Sequence, residues 1–189
     1  MNKSVLFLIP LLIIGVLVIA GFGIYNGLVS AQEEGKTAWA QVENQYQRRA
    51  DLIPNLVETV KGYAQQEKTV LEEVTRLRSQ WGEARQSGDI NKSLQAAQGL
   101  DSALARLMVV VERYPELKSN QNFMKLQDQL EGTENRISVE RRRYNQAVLN
   151  YNRKIRTYPG AFVAGFFDFE RMPLFEAEAG TRRAPTVKF

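Results

Sequence analysis

The side chains best suited to chemistry in this sequence are glutamates that recur in segments of helical composition: Glu112, Glu131, Glu134 and Glu140. In a helical bundle, carboxylates of this kind can hold a pair of metal ions. The ferritin-like arrangement, however, also needs Glu-x-x-His motifs on two of the helices. The sequence has no histidine, so an all-carboxylate calcium or magnesium site remains as the metal hypothesis. Ion pairs along helix surfaces are the simpler interpretation, and we favour them.

The sequence also lacks cysteine, which excludes disulfides, thiol nucleophiles and cysteine-ligated metals within it. Without histidine it lacks the usual general base near neutral pH and the commonest zinc ligand. No Gly-rich phosphate loop, Walker motif, nucleophile elbow or kinase motif is present. We therefore expect no catalytic residue, no metal and no cofactor, and the sequence indicates no small-molecule substrate.

A second group of polar residues surrounds a proline, with Arg48, Arg49 and Asp51 before Pro54 and Asn55 after it. Proline removes a backbone donor from a helix, so charged side chains there could form a partner or ligand site. The structural alternative is that Asp51 caps a helix, an arginine pairs with a carboxylate and Asn55 bonds freed backbone groups. We favour the structural alternative.

Three arginines, Arg141, Arg142 and Arg143, follow Glu140 and point around most of a helix circumference. They therefore form no single basic face, and no nucleic-acid-binding module is recognisable. The net charge of +4 is a mild excess that suits anionic lipid headgroups better than nucleic acid. We expect a solvated face with one inward arginine and no nucleic-acid partner.

The N-terminal part of the sequence is apolar, with no charged residue from Ser4 to Gln32. A helix of about 20 apolar residues spans about 30 Å, the thickness of a hydrocarbon core. A cleaved signal peptide is the alternative, because Val29-Ser30-Ala31 has small residues where a signal peptidase cuts. The apolar run is longer than the roughly 7 to 15 residues of a signal core, which favours a permanent anchor contacting the lipid bilayer through residues 4–32.

Two features at the end of this run concern assembly and orientation. Gly23 and Gly27 share a helix face, a spacing at which membrane helices can approach closely, and Tyr25 suits the interfacial aromatic belt. Lys3 and Lys36 flank the run almost symmetrically. We predict a homo-oligomer packed through the glycines, with a cytoplasmic N-terminus and an exported bundle.

Apolar residues at steps of three and four predict four amphipathic helices after the anchor. A helix break is expected near residues 50–53, with a kink at Pro54 as the alternative. Gln86 to Asp89 predicts a turn, Ser119 or Asn120 a helix cap, and Tyr158-Pro159-Gly160 the end of the last helix. No segment alternates with period two.

The predicted fold is all-α, with an antiparallel up-and-down four-helix bundle of coiled-coil packing. The predicted core comprises Trp39, Val42, Tyr46, Ile53, Leu56, Val60, Tyr63, Leu71, Val74, Leu77, Trp81, Leu94, Ala97, Leu104, Leu107, Val111, Tyr114, Phe123, Leu126, Leu130, Ile137, Tyr144, Val148, Tyr151 and Ile155.

These predictions divide the chain into an anchor and membrane exit over residues 1–31, a bundle domain over 32–158 and a tail over 159–189. The tail is irregular and rich in Phe, Gly and Pro, and includes Phe162, Phe166, Phe167, Phe169, Phe175 and Phe189. An exposed tail this aromatic is unusual for a monomer. It is expected to pack along the bundle, against another subunit or against lipid headgroups.

Several uncommon motifs occur in order along the chain: Tyr25-Asn26-Gly27-Leu28-Val29, the run from Arg48 to Tyr63, Glu112-Arg113-Tyr114-Pro115-Glu116-Leu117-Lys118, Glu131-Gly132-Thr133-Glu134-Asn135-Arg136-Ile137 and Arg142-Arg143-Tyr144-Asn145-Gln146-Ala147-Val148. Together they strongly resemble the LemA family. Candidates for a family-motif or partner site are therefore Arg48, Arg49, Asp51, Pro54, Asn55, Glu112, Tyr114, Glu134, Asn135, Tyr144 and Asn145.

The resemblance implies a single-span protein of a bacterial cytoplasmic (inner) membrane with an up-and-down four-helix bundle. It implies no reaction, because the family has no established catalytic residues. Relatives are associated with membrane-organelle formation and with membrane protease neighbours. The leading hypothesis is thus a non-enzymatic scaffold that self-associates or recruits partners. A monomeric adaptor of a membrane protease or transporter is the alternative, and a carboxylate-based enzyme or divalent-metal binder comes third.

Overall fold

The computed structural model describes residues 3–175, and the side chains of residues 10–175. This part of the chain forms α1 (Lys3–Lys61), α2 (Lys68–Gln86), α3 (Ile90–Val111), α4 (Pro115–Lys118), α5 (Gln121–Lys154) and α6 (Gly160–Phe166). It contains no β-strand, so the all-α prediction is confirmed for the described residues. The up-and-down bundle and its coiled-coil packing stay predictions.

The N-terminal part of α1 is long and apolar enough to cross a membrane, and it is the one such helix in the described range. Its large apolar side chains, among them Leu17 and Ile19, are exposed. A core helix of a water-soluble domain would bury these side chains, because the hydrophobic effect favours their removal from water. The exposed apolar surface fits a membrane protein.

The predicted helix break at residues 50–53 is wrong, because α1 continues through Pro54 to Lys61. Proline leaves the carbonyl four residues earlier without its helical N–H donor. Here the Nε of Arg78 on α2 donates to the Ala50 oxygen at 2.8 Å. A donor from another helix thus satisfies the freed carbonyl, and the helix need not end. Asp51 therefore caps nothing and instead accepts a hydrogen bond from Gln47 at 2.7 Å.

The first break after α1 lies instead between Lys61 and Lys68. Tyr63, which the helical spacing placed in the core, is 42% exposed because it follows the helix end. The turn at residues 86–89 is confirmed, with Gly88 at φ 67°. The Asp89 side chain then accepts from the backbone N–H of Asn91 and of Lys92 and caps α3.

The remaining predicted boundaries lie close to those observed. α3 ends at Val111, and Pro115 opens the one-turn helix α4. Asn120 caps α5 by accepting from the backbone N–H of Asn122 at 2.9 Å and of Phe123 at 3.1 Å. α5 ends at Lys154, shortly before the predicted stop.

The chain divides into two compact units. Among the described residues, the first unit contains residues 3–38 together with Arg143–Leu174, and the second contains Trp39–Arg142 together with Phe175. In the second unit α2 packs against α3. Its core includes most of the predicted apolar positions: Trp39, Val42, Tyr46, Ile53, Leu56, Val60, Leu71, Val74, Trp81, Leu94, Ala97, Leu104, Leu107, Val111, Phe123 and Ile137.

The first unit has its own core, formed by Leu28, Ala31, Tyr151, Ile155, Val163 and Ala164. The tail prediction is corrected here, because residues 160–166 form α6 and are not irregular. Phe189 and the rest of the predicted tail beyond Phe175 lie outside the described residues.

Candidate functional site

Arg49 is a buried charged residue of the second unit that joins α1 to two other helices. Only 3% of its surface is exposed. One guanidinium nitrogen bonds the Asp101 carboxylate on α3, and the other bonds Glu134 on α5. A buried arginine is expensive unless a carboxylate compensates its charge. The prediction that an arginine beside Pro54 pairs with a carboxylate is confirmed, and two carboxylates take part.

Asp101 is the common acceptor of this cluster. Besides Arg49, it accepts hydrogen bonds from the Arg141 guanidinium and, at 2.8 Å, from the Tyr46 hydroxyl. The Arg141 guanidinium carbon also lies 5.3 Å from the Tyr46 ring centroid and 4.8 Å from that of Phe175. These residues (Tyr46, Arg49, Asp101, Glu134 and Arg141) are the charge cluster. Arg141 is also the predicted inward arginine, while Arg142 and Arg143 are exposed.

The charge cluster lies at one end of a groove between α3 and α5. The groove holds about 420 Å³ and is lined by Arg49, Asp101, Leu104, Ala105, Met108, Val111, Glu112, Lys118, Phe123, Gln127, Leu130, Glu131 and Glu134. Apolar side chains line its interior, and the charged residues include an ion pair of 2.6 Å between Lys118 and Glu112. A mostly apolar groove that also has charged lining residues suits an amphipathic helix or peptide better than a polar metabolite.

The glutamates considered for a metal site divide between this groove and other parts of the structure. Glu112, Glu131 and Glu134 line the groove, but Glu112 pairs with Lys118 and Glu134 with Arg49. Glu140 is half-buried on α5. Within residues 10–175, no group of three or more acidic side chains is placed to hold a metal ion.

The other residues around Pro54 lie outside the charge cluster. Arg48 and Asp51 line a groove with Asp128 and Arg136 of α5. Asn55, which was expected to bond freed backbone groups, is exposed, and Arg78 makes that bond instead. The structure therefore separates Arg49, which is buried, from its exposed neighbours.

The remaining motif residues have structural contacts of their own. The Tyr114 hydroxyl donates to Glu67 at 3.1 Å and accepts from Gln66 at 2.9 Å. Asn135 is exposed and Asn145 half-buried. No other described residue lies within 4 Å of a Cβ built on Gly23 or Gly27, so both glycines leave open space on α1.

In the first unit, α5 binds the segment that follows α6, residues 167–174, here named the C-terminal strap. The hydroxyls of Tyr144 and Tyr151 donate to the carbonyls of Pro173 and Glu170, each at 2.7 Å. The Asn152 side chain donates to the Met172 oxygen at 2.8 Å and accepts from its N–H at 3.0 Å. Burial raises the pKa of both tyrosines, since it disfavours the phenolate. Both stay protonated and donate.

Sequence reasoning missed Asp101 and Arg78. A signal for Asp101 was available, because it occupies the helical spacing of the apolar stripe, between Ala97 and Leu104. A carboxylate on a buried face implies a buried cationic partner. No comparable signal marks Arg78, whose role depends on the carbonyl that Pro54 frees on another helix.

Comparisons with known proteins agree with the motif resemblance. The LemA family model matches residues 38–189. Magnetosome protein MamQ 2 of Paramagnetospirillum magneticum is 28% identical over 175 residues, covering 80% of this chain and 64% of the relative. MamQ of Magnetospirillum gryphiswaldense is 27% identical over 180 residues, covering 82% of this chain and 66% of the relative. Protein LemA of Metamycoplasma hominis is 25% identical over 178 residues, covering 93% of this chain and 80% of the relative.

The chain thus spans about two thirds of the length of the magnetosome relatives, 64% in one case. None of these names states a reaction. All the sequence motifs except the one at residues 25–29 lie within the residues that the family model matches, on the C-terminal part of α1 and beyond it, near α4 and on α5. The chain belongs to the LemA family.

Proposed function

We propose that this protein is a membrane-anchored, non-enzymatic scaffold that self-associates and recruits partner proteins to a bacterial cytoplasmic membrane. The observation that carries the proposal is α1, in which one helix contains both the exposed apolar stretch and residues of the folded core. A permanent span suits this continuity, and a removable leader does not. The proposal includes the up-and-down four-helix bundle, the cytoplasmic N-terminus and the exported bundle.

The recruiting surface in this proposal is the α3–α5 groove. Its apolar side chains would bury the apolar face of a partner helix, and its charged side chains would fix the partner's direction. Arg49 and Asp101 bond one another at the end of the groove. Since their charges already compensate each other, we assign them to support of the groove and not to a reaction.

The relatives support a role of this kind. Those named magnetosome proteins agree with the association of the family with membrane organelles. The recruiting role is our proposal for this chain, and the names of the relatives do not state it.

Photo-crosslinking in intact cells tests the recruiting surface. A benzoylphenylalanine is placed at Ala105 or Gln127, which are exposed and line the groove. Ser138, exposed on α5 outside this groove, provides the matched control. We expect discrete crosslinked products from the two groove positions and none from the control.

The identity of the product separates the hypotheses. A product with a second copy of the chain supports self-association, and a foreign membrane protein supports recruitment. A foreign product from a protein that is monomeric in mild detergent would favour the adaptor of a membrane protease or transporter. Equal products from the groove and from Ser138 would refute the groove as the recruiting surface.

A further inference from the structure

The short helix α6 has a pattern that is the reverse of a water-soluble amphipathic helix. Its buried residues are small: Gly160, Val163 and Ala164. Its largest side chains face outward, with Phe162 73% exposed and Phe166 75% exposed. Phe162 and Phe166 are four residues apart and share one face of the helix. We call these two residues the aromatic face. If only water surrounded α6, the hydrophobic effect would favour the opposite arrangement, with the phenylalanines buried.

The aromatic face lies beside the end of the apolar stretch of α1. A Cβ built on Gly160 would lie 3.8 Å from Cδ2 of Leu28. At the other end of α6, the Phe167 ring centroid lies 4.8 Å from that of Tyr25 and 5.1 Å from that of Phe166. The apolar run of α1 ends at Ile24, the residue before Tyr25. These contacts place α6 level with the first residues after the run.

Basic side chains lie at the same level. Arg153, Lys154 and Arg156 are exposed at the end of α5, just before α6. The Lys154 ammonium lies 3.5 Å from the Gly27 carbonyl oxygen of α1. Aromatic rings next to lysines and arginines, at the end of an apolar helix, form the combination found where membrane proteins meet lipid headgroups.

We propose that α6 is a second membrane contact of this protein, with the aromatic face inserted into the interfacial zone of the same bilayer that α1 spans. The proposal rests on the anchoring role proposed above. A bilayer is favoured over a protein partner because the aromatic face adjoins the exposed apolar surface of α1, so one lipid phase would cover both. Two contacts would fix the rotation of α1 about its axis, which a single span leaves free.

Because the chain has no cysteine, single cysteines give site-specific fluorescent labels without background. Full-length variants Phe162→Cys and Phe166→Cys are labelled and reconstituted into vesicles of equal parts phosphatidylcholine and phosphatidylglycerol. Val109→Cys on α3, an apolar residue 71% exposed, is the matched control. Leu17→Cys reports the anchor itself. Lipids carrying a nitroxide near the headgroup or deep in the chain, and aqueous iodide, serve as quenchers.

We expect labels at positions 162 and 166 to lose most of their fluorescence to the shallow nitroxide and little to iodide. The label at position 109 should show the reverse, and the label at position 17 should respond to the deep nitroxide. Helical circular dichroism equal to that of the unaltered protein confirms that each variant is folded.

Each other outcome overturns a specific statement. If position 17 responds to lipid while positions 162 and 166 behave like 109, the α6 contact is refuted and the anchor stands. If positions 162 and 166 are shielded from both lipid and iodide, a protein covers them and the proposal fails. If position 17 does not respond to lipid, the anchoring role fails, whatever α6 does.

Discussion

Arg49 shows how one residue can connect helices that are distant in sequence. Its guanidinium, buried on α1, bonds carboxylates on α3 and α5. Asp101 also accepts from Arg141 and Tyr46, so three donors converge on one carboxylate. Removing Asp101 would leave the buried Arg49 with the largely exposed Glu134 as its remaining carboxylate, and would take from Arg141 and Tyr46 the acceptor that they share. We therefore expect the charge cluster to specify how these helices meet.

Replacing Asp101 with alanine should lower the free energy of unfolding by about 3–5 kcal/mol, the usual cost of leaving a buried charge without its partner. The measurement is denaturant unfolding of the full-length protein in mild detergent. Glu134→Ala is the matched control. Since the Glu134 side chain is 55% exposed, water can replace much of its contact, and the loss should stay below about 1 kcal/mol. Equal losses from the two variants would contradict this account.

At the scale of elements, α1 continues through a proline because α2 supplies the missing donor. The Arg78 Nε occupies the Ala50 carbonyl that a residue other than proline would satisfy from within the helix. The proline and the arginine should therefore be energetically coupled, although they lie on different helices.

A double-mutant cycle tests this coupling. Arg78→Met in the native background should cost about 1–3 kcal/mol, because a part-buried carbonyl loses its partner. In a Pro54→Ala background the restored backbone N–H at position 54 bonds Ala50 instead, and the same substitution should cost less. We expect a coupling energy of about 1 kcal/mol from unfolding curves. Additive effects would mean that Arg78 does not compensate for Pro54.

Helix α6 also has a residue-specific requirement, because Gly160 contacts the end of α5. A Cβ on Gly160 would lie 2.3 Å from the Lys154 carbonyl oxygen, so Gly160→Ala requires a backbone shift. We expect a loss of about 1–3 kcal/mol in the free energy of unfolding, typical of an overpacked site. Gly165→Ala in the same helix is the matched control. Nothing described lies within 4 Å of its Cβ, so the variant should gain up to about 1 kcal/mol from helix propensity.

At the scale of the whole molecule, assembly is expected to involve the open glycine face of α1. Full-length protein carrying Gly23→Leu and Gly27→Leu should give smaller particles in mild detergent than the unaltered protein, because leucine keeps helices apart. Gly21→Leu is the control, since position 21 lies about 200° around the helix from position 23. If the Gly21→Leu variant keeps the native particle mass, the assembly contact lies on the helix face of Gly23 and Gly27. If the double variant keeps the native mass, the glycines are not the assembly site.

The helical stripes and the end signals predicted the all-α class and most of the helix ends, because both depend on local spacing. Trp39, Val42 and Tyr46 are buried as the spacing of α1 predicted, and Asn120 caps α5. The predictions failed where contacts with a distant part of the chain changed the structure that the local sequence favours. Pro54 would break a helix that had no donor opposite it, and α6 looked irregular because its small residues contact another part of the chain.

By itself, the sequence determined the all-α class, the apolar stretch suited to a membrane, the positions of most turns and the family. Each of these depends on composition, spacing or motif order within one segment. Only the tertiary structure decided that α1 is uninterrupted, that Asp101 joins Arg49 to Arg141, and that Phe162 and Phe166 lie exposed near the end of the apolar stretch of α1. The physical reason is that hydrogen bonds, ion pairs and burial depend on groups brought together from distant positions, which no local pattern encodes.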